Sequence, residues 1–355
     1  MIIFIIIAAL AVLILSHEFG HFLLAKLSGA RVDEFGFGFP PRLFSFKKGE
    51  TTYSLNLLPF GGFVKIFGED SSEKQSRSFS SRPMYLRACI LAAGVFFNLI
   101  LAWLLFSLVL WLGAPTSVGS EAQDAYVTII QVQPGTPAEE VGLSAGDRLL
   151  SFSSEGETFQ VNSVLGVQQF VERYKGKEVF IEYLRGQKNM MAVAVPQINP
   201  PEGVGALGIA MDRVGIVSLP FYRAIWEGIK TTISITAAIV KAFYGILVDL
   251  FTSGGAAVAV MGPVGIMSIL GTASGLGFVY VVNLIALLSI NLAILNILPF
   301  PALDGGRLLF LAIEAVKGSP ISQKVSAGLN TAGFLFLIAL MLLVTYKDIA
   351  KLIHG

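Results

Sequence analysis

The chain has 355 residues, of which 54% are hydrophobic and only 14% charged, with a mean hydropathy of +0.72. Soluble domains carry about 25% charged residues, so this composition places the chain among membrane proteins. The net charge of +1 gives no basis for binding nucleic acid, and the single cysteine, Cys89, excludes an internal disulfide.

The first apolar run extends from Ile2 to about Ala25. No basic residue precedes it and no small-residue cleavage site follows; His17 and Glu18 stand there instead. It reads as a retained membrane helix rather than a signal peptide, and residues 1–30 form the first unit. Residues 31–87 come next. Alternating Phe35, Phe37 and Phe39 lead to Leu43-Phe44-Ser45-Phe46, a Lys47-Lys48-Gly49-Glu50 turn and Tyr53-Ser54-Leu55-Asn56-Leu57. This pattern predicts a membrane-associated β-hairpin, to which Gly61 through Ile66 can add an edge strand. Residues 88–113 hold a second, uncharged span, Ala88 to Leu112.

Residues 122–198 have a soluble character. Short strand candidates, Val127-Thr128-Ile129-Ile130 and Val179 through Tyr183, flank Pro134-Gly135-Thr136-Pro137-Ala138 and Gly142 through Asp147. Residues 199–275 contain Phe221 to Phe251, apolar but carrying Arg223, Glu227, Lys230, Lys241 and Asp249, which reads as an interfacial or partly inserted helix. A glycine-rich uncharged stretch after Leu250 suits a loop or re-entrant segment. Residues 276–355 hold two further spans, about Leu276 to Leu298 and Val325 to Tyr346, each long enough to cross a bilayer at about 20 residues. The expected architecture is a polytopic α-helical membrane protein with about four transmembrane helices, a β-hairpin or small sheet, and an inserted α+β domain. Lys and Arg crowd the loop after the first span, and Arg307, Lys317 and Lys324 precede the last. The positive-inside rule places both loops on the cytoplasmic side and residues 122–198 on the other, with Lys347 and Lys351 as a weak counter-signal.

Chemistry concentrates at His17-Glu18-Phe19-Gly20-His21. Residues four apart on a helix share a face, so both imidazoles can reach one metal ion, and Glu18 can take a proton from water beside it. A pair of core histidines is the bland reading. Against it, two of the three histidines in the chain fall in this motif, beside a carboxylate, in a hydrophobic helix where ionisable groups are costly. A hydrolytic zinc ion takes three protein ligands and leaves one position open. His354, at the C-terminal end, is a poor third ligand. Asp304 is a better one: it is the first charge after 54 uncharged residues, in Asn296-Ile297-Leu298-Pro299-Phe300-Pro301-Ala302-Leu303-Asp304-Gly305-Gly306. Alone it would read as a turn or a helix cap. Topology favours the ligand reading, because the first span runs inward, the second outward and the third inward again, delivering Asp304 at the depth of the histidines. The same count requires that Phe221 to Phe251 make no net crossing.

Together these motifs resemble the site-2 protease family, most closely the bacterial regulator-of-sigma-E type. The resemblance implies Zn2+ held by His17, His21 and Asp304, with Glu18 as catalytic base. It implies that Asn296 holds substrate backbone or oxyanion. Gly94-Val95-Phe96-Phe97-Asn98 fits the family's GxxxN pattern, making Gly94 and Asn98 substrate-binding candidates; helix packing through a small residue explains it equally well. Met261-Gly262-Pro263-Val264-Gly265-Ile266 looks like a family loop. Residues 122–198 resemble one bacterial PDZ domain, a peptide-binding module or a size filter. The implied substrates are single-pass membrane proteins such as an anti-sigma factor, or signal-peptide remnants, in a bacterial inner membrane. Competing readings are a membrane zinc peptidase for soluble or lipidated segments with Glu314 as third ligand, a non-catalytic PDZ-bearing scaffold, and a zinc transporter.

Overall fold

The computed structural model describes residues 2–69, 75–117, 125–186, 188–201, 204–252, 262–319 and 321–354. The chain divides into two compact units. The first comprises residues 1–108, 225–271 and 282–355; the second comprises residues 109–224 and 272–281.

The first unit opens with α1 (Ile2–Leu27), followed by β1 (Val32–Lys48) and β2 (Thr51–Ile66). Prolines 40 and 41 bend β1, and the Pro59–Gly61 stretch bends β2. The antiparallel hairpin therefore folds over on itself: Phe35 pairs with Tyr53 on one side and with Val64 on the other, while Phe44 pairs with Leu55. Segment 62–66 becomes an outer strand of this small sheet, with β1 on one side and no further strand among the described residues on the other. Helix α2 (Met84–Leu112) returns along α1. The base of the hairpin is closed by buried Ala25, Val32, Ile66, Phe79, Ile90 and Leu311. The far end exposes Leu43, Phe44, Phe46 and Leu57, a surface suited to lipid rather than water.

Helices α5 (Phe221–Thr252), α6 (Pro263–Leu276), α7 (Phe278–Ile297), α8 (Asp304–Lys317) and α9 (Gln323–His354) complete this unit, with the first residues of α5 and the junction of α6 and α7 assigned to the other. Buried Ala102 and Phe106 of α2 meet Ala286, Ile290 and Ile294 of α7, and Ile235 and Ile239 of α5 pack on the same cluster. The Trp103 indole N–H donates to the Ile225 carbonyl oxygen at 3.0 Å, and Thr232 is buried. One stripe of α5 is thus committed to the other helices. Among the described residues, five helices are long and apolar enough to cross a membrane, α1, α2, α5, α7 and α9, against the four read from the sequence. The difference is α5, whose charges interrupt its hydropathy without interrupting its apolar stripe.

The second unit is an α+β module. Its strands are β3 (Ala114–Ser117), β4 (Tyr126–Val132), β5 (Arg148–Ser154), β6 (Glu157–Gln160), β7 (Val179–Arg185), β8 (Lys188–Ala194) and β9 (Ile209–Val217). They form one sheet in the order β3-β9-β4-β5-β7-β8, with β6 paired to β5. Helix α3 (Pro137–Glu140) and helix α4 (Val164–Arg173), capped by the Ser163 hydroxyl, cover a core of Val127, Ile129, Phe152, Val167, Val179 and Ile181. The expected boundaries of 122–198 are too narrow. Strand β9 lies outside them yet pairs with both β3 and β4; Asp212 and Arg213 break its apolar alternation and so hide it in the sequence.

Of the two expectations for the glycine-rich stretch, loop or re-entrant segment, the loop does not hold for its described part. Residues 253–261 lie outside the described residues, Met261 of the expected family loop among them, but 263–276 form α6 rather than a loop. Each helical glycine costs about 1 kcal/mol relative to alanine. Apolar side chains and a cap in trans offset this: Asp348 Oδ2 accepts the Gly265 N–H at 2.8 Å, placing a carboxylate at the helix N-terminus.

Candidate metal centre

Within α1, the i,i+4 spacing puts His17 and His21 on one face, both buried, with their Nε2 atoms 3.3 Å apart. Helix α7 stops at Ile297, and two prolines carry the chain through a bend. At Ala302 the backbone is left-handed, with φ of 74°, and its N–H donates to Asn330 Oδ1 of α9 at 3.2 Å. Asp304 follows as the first residue of α8. A side chain at Gly305 would collide with the Ile297 and Leu298 carbonyls, so the glycine lets α8 start tight against the end of α7. Asp304 Oδ2 thereby arrives 3.0 Å from His17 Nε2 and 3.2 Å from His21 Nε2.

Three donors, two neutral-capable imidazoles and one carboxylate, converge on one point. Donors placed about 2.0–2.1 Å from a tetrahedral zinc ion stand about 3.3–3.4 Å apart. The observed separations of 3.0, 3.2 and 3.3 Å match that spacing. The donor set fits zinc and leaves a fourth position for water or substrate. With Nε2 turned to the cluster, His21 Nδ1 donates to the Ile90 carbonyl oxygen at 2.8 Å, the kind of outer contact that fixes a ligand imidazole.

The remaining expected residues are placed unequally. A Cβ built on Gly94 would stand 2.5 Å from His17 Cε1 and closer still to His21 Nε2. Gly94 therefore lets the imidazoles lie against α2, and it is a packing position of the site itself. Asn98, one turn later, is fully buried with its amide nitrogen 3.3 Å from His17 Nδ1, and it does not line the open cavity. Asn296 is half-buried, its amide nitrogen 3.5 Å from His17 Nε2. Glu314 is turned away: both its oxygens accept from Arg87, each at 2.9 Å. The side chain of His354 lies outside the described residues.

A cavity of about 540 Å³ opens beside the triad. Glu18 lines it, with Gly62, Phe63 and Val64 of the outer strand on one wall and Asn330 and Phe334 of α9 on another. Arg307, three residues beyond Asp304, is ion-paired with Glu69, and both belong to the wall. In the sequence Arg307 reads only as an orienting charge, not as a site residue, and Asn330 is not singled out. Their signals were an i,i+3 offset from Asp304 and a polar interruption, Asn330-Thr331, in an otherwise apolar span.

Known proteins are similar in sequence to this chain across nearly its full length. A Clostridium perfringens protein with a provisional zinc-metalloprotease name is 35% identical over 342 residues, 96% of each chain. The regulator of sigma-W protease RasP of Bacillus subtilis is 30% identical over 426 residues, again 96% of each. The solved PDZ domain of an SdrC-like protein from Listeria monocytogenes is 26% identical and covers 26% of this chain and 93% of its own, with a TM-score of 0.21. The profile of Peptidase family M50 matches residues 5–340, and the chain belongs to that family, the site-2 proteases.

Proposed function

We propose that this protein is a zinc-dependent intramembrane endopeptidase of a bacterial cytoplasmic membrane, cutting single-pass membrane proteins within or near their membrane segments. The observation that carries the reading is the convergence of His17, His21 and Asp304 beside Glu18, inside apolar helices, on a cavity walled by an open strand edge. His17, His21 and Asp304 would hold the zinc ion, which when bound would supply Lewis acidity to lower the pKa of water and polarise a peptide carbonyl. Glu18 takes the proton of the attacking water and returns it to the leaving amine. A helical substrate hides its peptide bonds, so it must unwind. The unpaired side of segment 62–66 can take the extended chain as an added strand, presenting its carbonyls to the site. Asn296 stands at the edge of the triad, where its amide can hold substrate backbone or the oxyanion.

The regulator name of the Bacillus subtilis relative supports a membrane-bound regulator such as an anti-sigma factor as the substrate class. The positive-inside rule supports a site toward the cytoplasm and a PDZ-like module, built from the second unit, on the outer side. In that reading the module meets the substrate's extracytoplasmic part, as ligand groove or size filter.

The test is a set of purified variants assayed for zinc content and cleavage of a model membrane substrate. Glu18→Gln should keep stoichiometric zinc and lose about 100- to 10,000-fold in kcat, the usual contribution of a general base. Asp304→Ala should lose zinc, whereas Glu314→Gln should keep it. Wild-type activity in Glu18→Gln would end this mechanism, and zinc loss confined to Glu314→Gln would transfer the third ligand to that residue.

A further inference from the structure

His17 and His21 both turn Nε2 toward Asp304. An imidazole that gives Nε2 to a metal ion keeps its remaining proton on Nδ1, and a buried N–H needs an acceptor. For His21 that acceptor is the Ile90 carbonyl oxygen. The polar group at His17 Nδ1 is the amide of Asn98, which has no exposed surface. In the structure its nitrogen faces Nδ1 at 3.3 Å, while its Oδ1 is buried with no hydrogen-bond partner. That orientation suits a His17 protonated on Nε2, the wrong tautomer for a ligand.

The two ends of an amide have nearly the same shape, and hydrogen bonding decides which way it points. A half-turn about the terminal bond of Asn98 presents oxygen to Nδ1–H. In the present orientation the oxygen end lacks a partner, so no other hydrogen bond holds the amide that way round, and the bond to His17 decides. A metal-ligating imidazole donates strongly from its other nitrogen, and an amide nitrogen cannot receive that proton. The Asn98 backbone is itself held, since its carbonyl oxygen accepts the Ser289 hydroxyl of α7 at 2.7 Å.

We infer that Asn98 is a positioning residue: its amide oxygen accepts the His17 Nδ1 proton, fixes the tautomer that ligates through Nε2, and holds the ring toward Asp304. This rests on the metal-site reading above. It replaces the substrate contact implied by the sequence resemblance, because a substrate backbone cannot reach a side chain with no accessible surface.

Three variants test it, Asn98→Leu, Asn98→Ala and Asn98→Asp, compared with wild type by chelator competition for zinc, by kcat and KM on a membrane peptide, and by nitrogen-15 spectra of the histidine rings. Leucine and alanine should each weaken zinc binding about 10- to 100-fold and lower kcat without raising KM. Aspartate, which keeps an acceptor at the same place, should restore zinc affinity. Zinc-loaded wild type should show His17 protonated on Nδ1. Wild-type zinc affinity in both Asn98→Leu and Asn98→Ala would overturn the assignment, as would a rise in KM alone or a zinc-loaded His17 protonated on Nε2. Failure of the metal-site reading looks different: wild type itself would then bind no stoichiometric zinc, or Asp304→Ala would keep it.

Discussion

Gly94 shows how much a missing side chain contributes. The methyl of Gly94→Ala would fall on both imidazoles, and neither ring can withdraw without abandoning Asp304. Alanine favours a helix by about 1 kcal/mol over glycine, so the variant gains local stability while the site loses its geometry. The expected result is at least about a tenfold loss of zinc affinity, the scale of outer-contact defects, with the helical circular dichroism signal unchanged. Wild-type zinc binding in Gly94→Ala would show that the rings have room to move. Sequence reading left Gly94 divided between packing and substrate contact, since a GxxxN spacing says only that one helix face carries a small residue. Which neighbour comes close is a fact of another helix. Glu50, far from the metal, behaves differently. Hydrogen bonds from Arg77, then Lys26, hold its carboxyl down to about 2 and tie the hairpin turn to the end of α1. A lowered carboxyl contributes its stability above the ordinary carboxylate range and loses it as the pH falls through about 2. Its carboxyl carbon resonance should titrate near that value in wild type and move upward in Arg77→Gln; an unmoved midpoint would remove the guanidinium as the cause.

Elements carry the site in two pieces of unequal legibility. The α1 half was readable because a metal fixes its ligands four residues apart on one helix, a constraint local in sequence. The Asp304 half was readable only through the count of crossings. What the sequence hid is how the bend from 299 to 303 is held. Ala302 is a non-glycine residue in the left-handed region, which costs about 1–3 kcal/mol, and the Asn330 side chain of α9 accepts its N–H. Helix α9 thus braces the bend that aims Asp304. Asn330→Leu should weaken zinc binding by letting the bend relax, and Ala302→Gly, which removes the conformational cost, should recover part of that loss in the double variant. Equal zinc affinity in Asn330→Leu and wild type would show that α8 holds Asp304 unaided. Strand β9 and helix α6 were missed for a related reason. The strand has broken alternation and gains its identity from partners far along the chain, and the helix starts against a carboxylate 83 residues away.

At the scale of the whole chain, the triad constrains how the helices cross the membrane. His17 and His21 lie in the second half of α1, and Asp304 follows the end of α7, yet their donor atoms stand within 3.0–3.3 Å. The chain between them must therefore cross an even number of times. In the proposed topology α2 and α7, both long and apolar enough to span, supply two crossings. All five apolar helices cannot each be a single crossing, because α5 would then make the count odd and deliver Asp304 to the opposite face. Its apolar stripe packs on α2 and α7, which supports a partly inserted α5 beside them. We propose that the stretch from 221 to 276 makes no net crossing and returns to the side it left. In Cys89→Ser protein in intact cells, cysteines replacing Gln197 and Ser274, on either side of this stretch, should react with an impermeant maleimide from the same outer face. Cysteines replacing Lys48 and Lys317 should react only after the membrane is opened. Labelling of 197 and 274 from opposite faces would mean that α5 is a single crossing, and a metal site made of His17, His21 and Asp304 would then be impossible in the membrane.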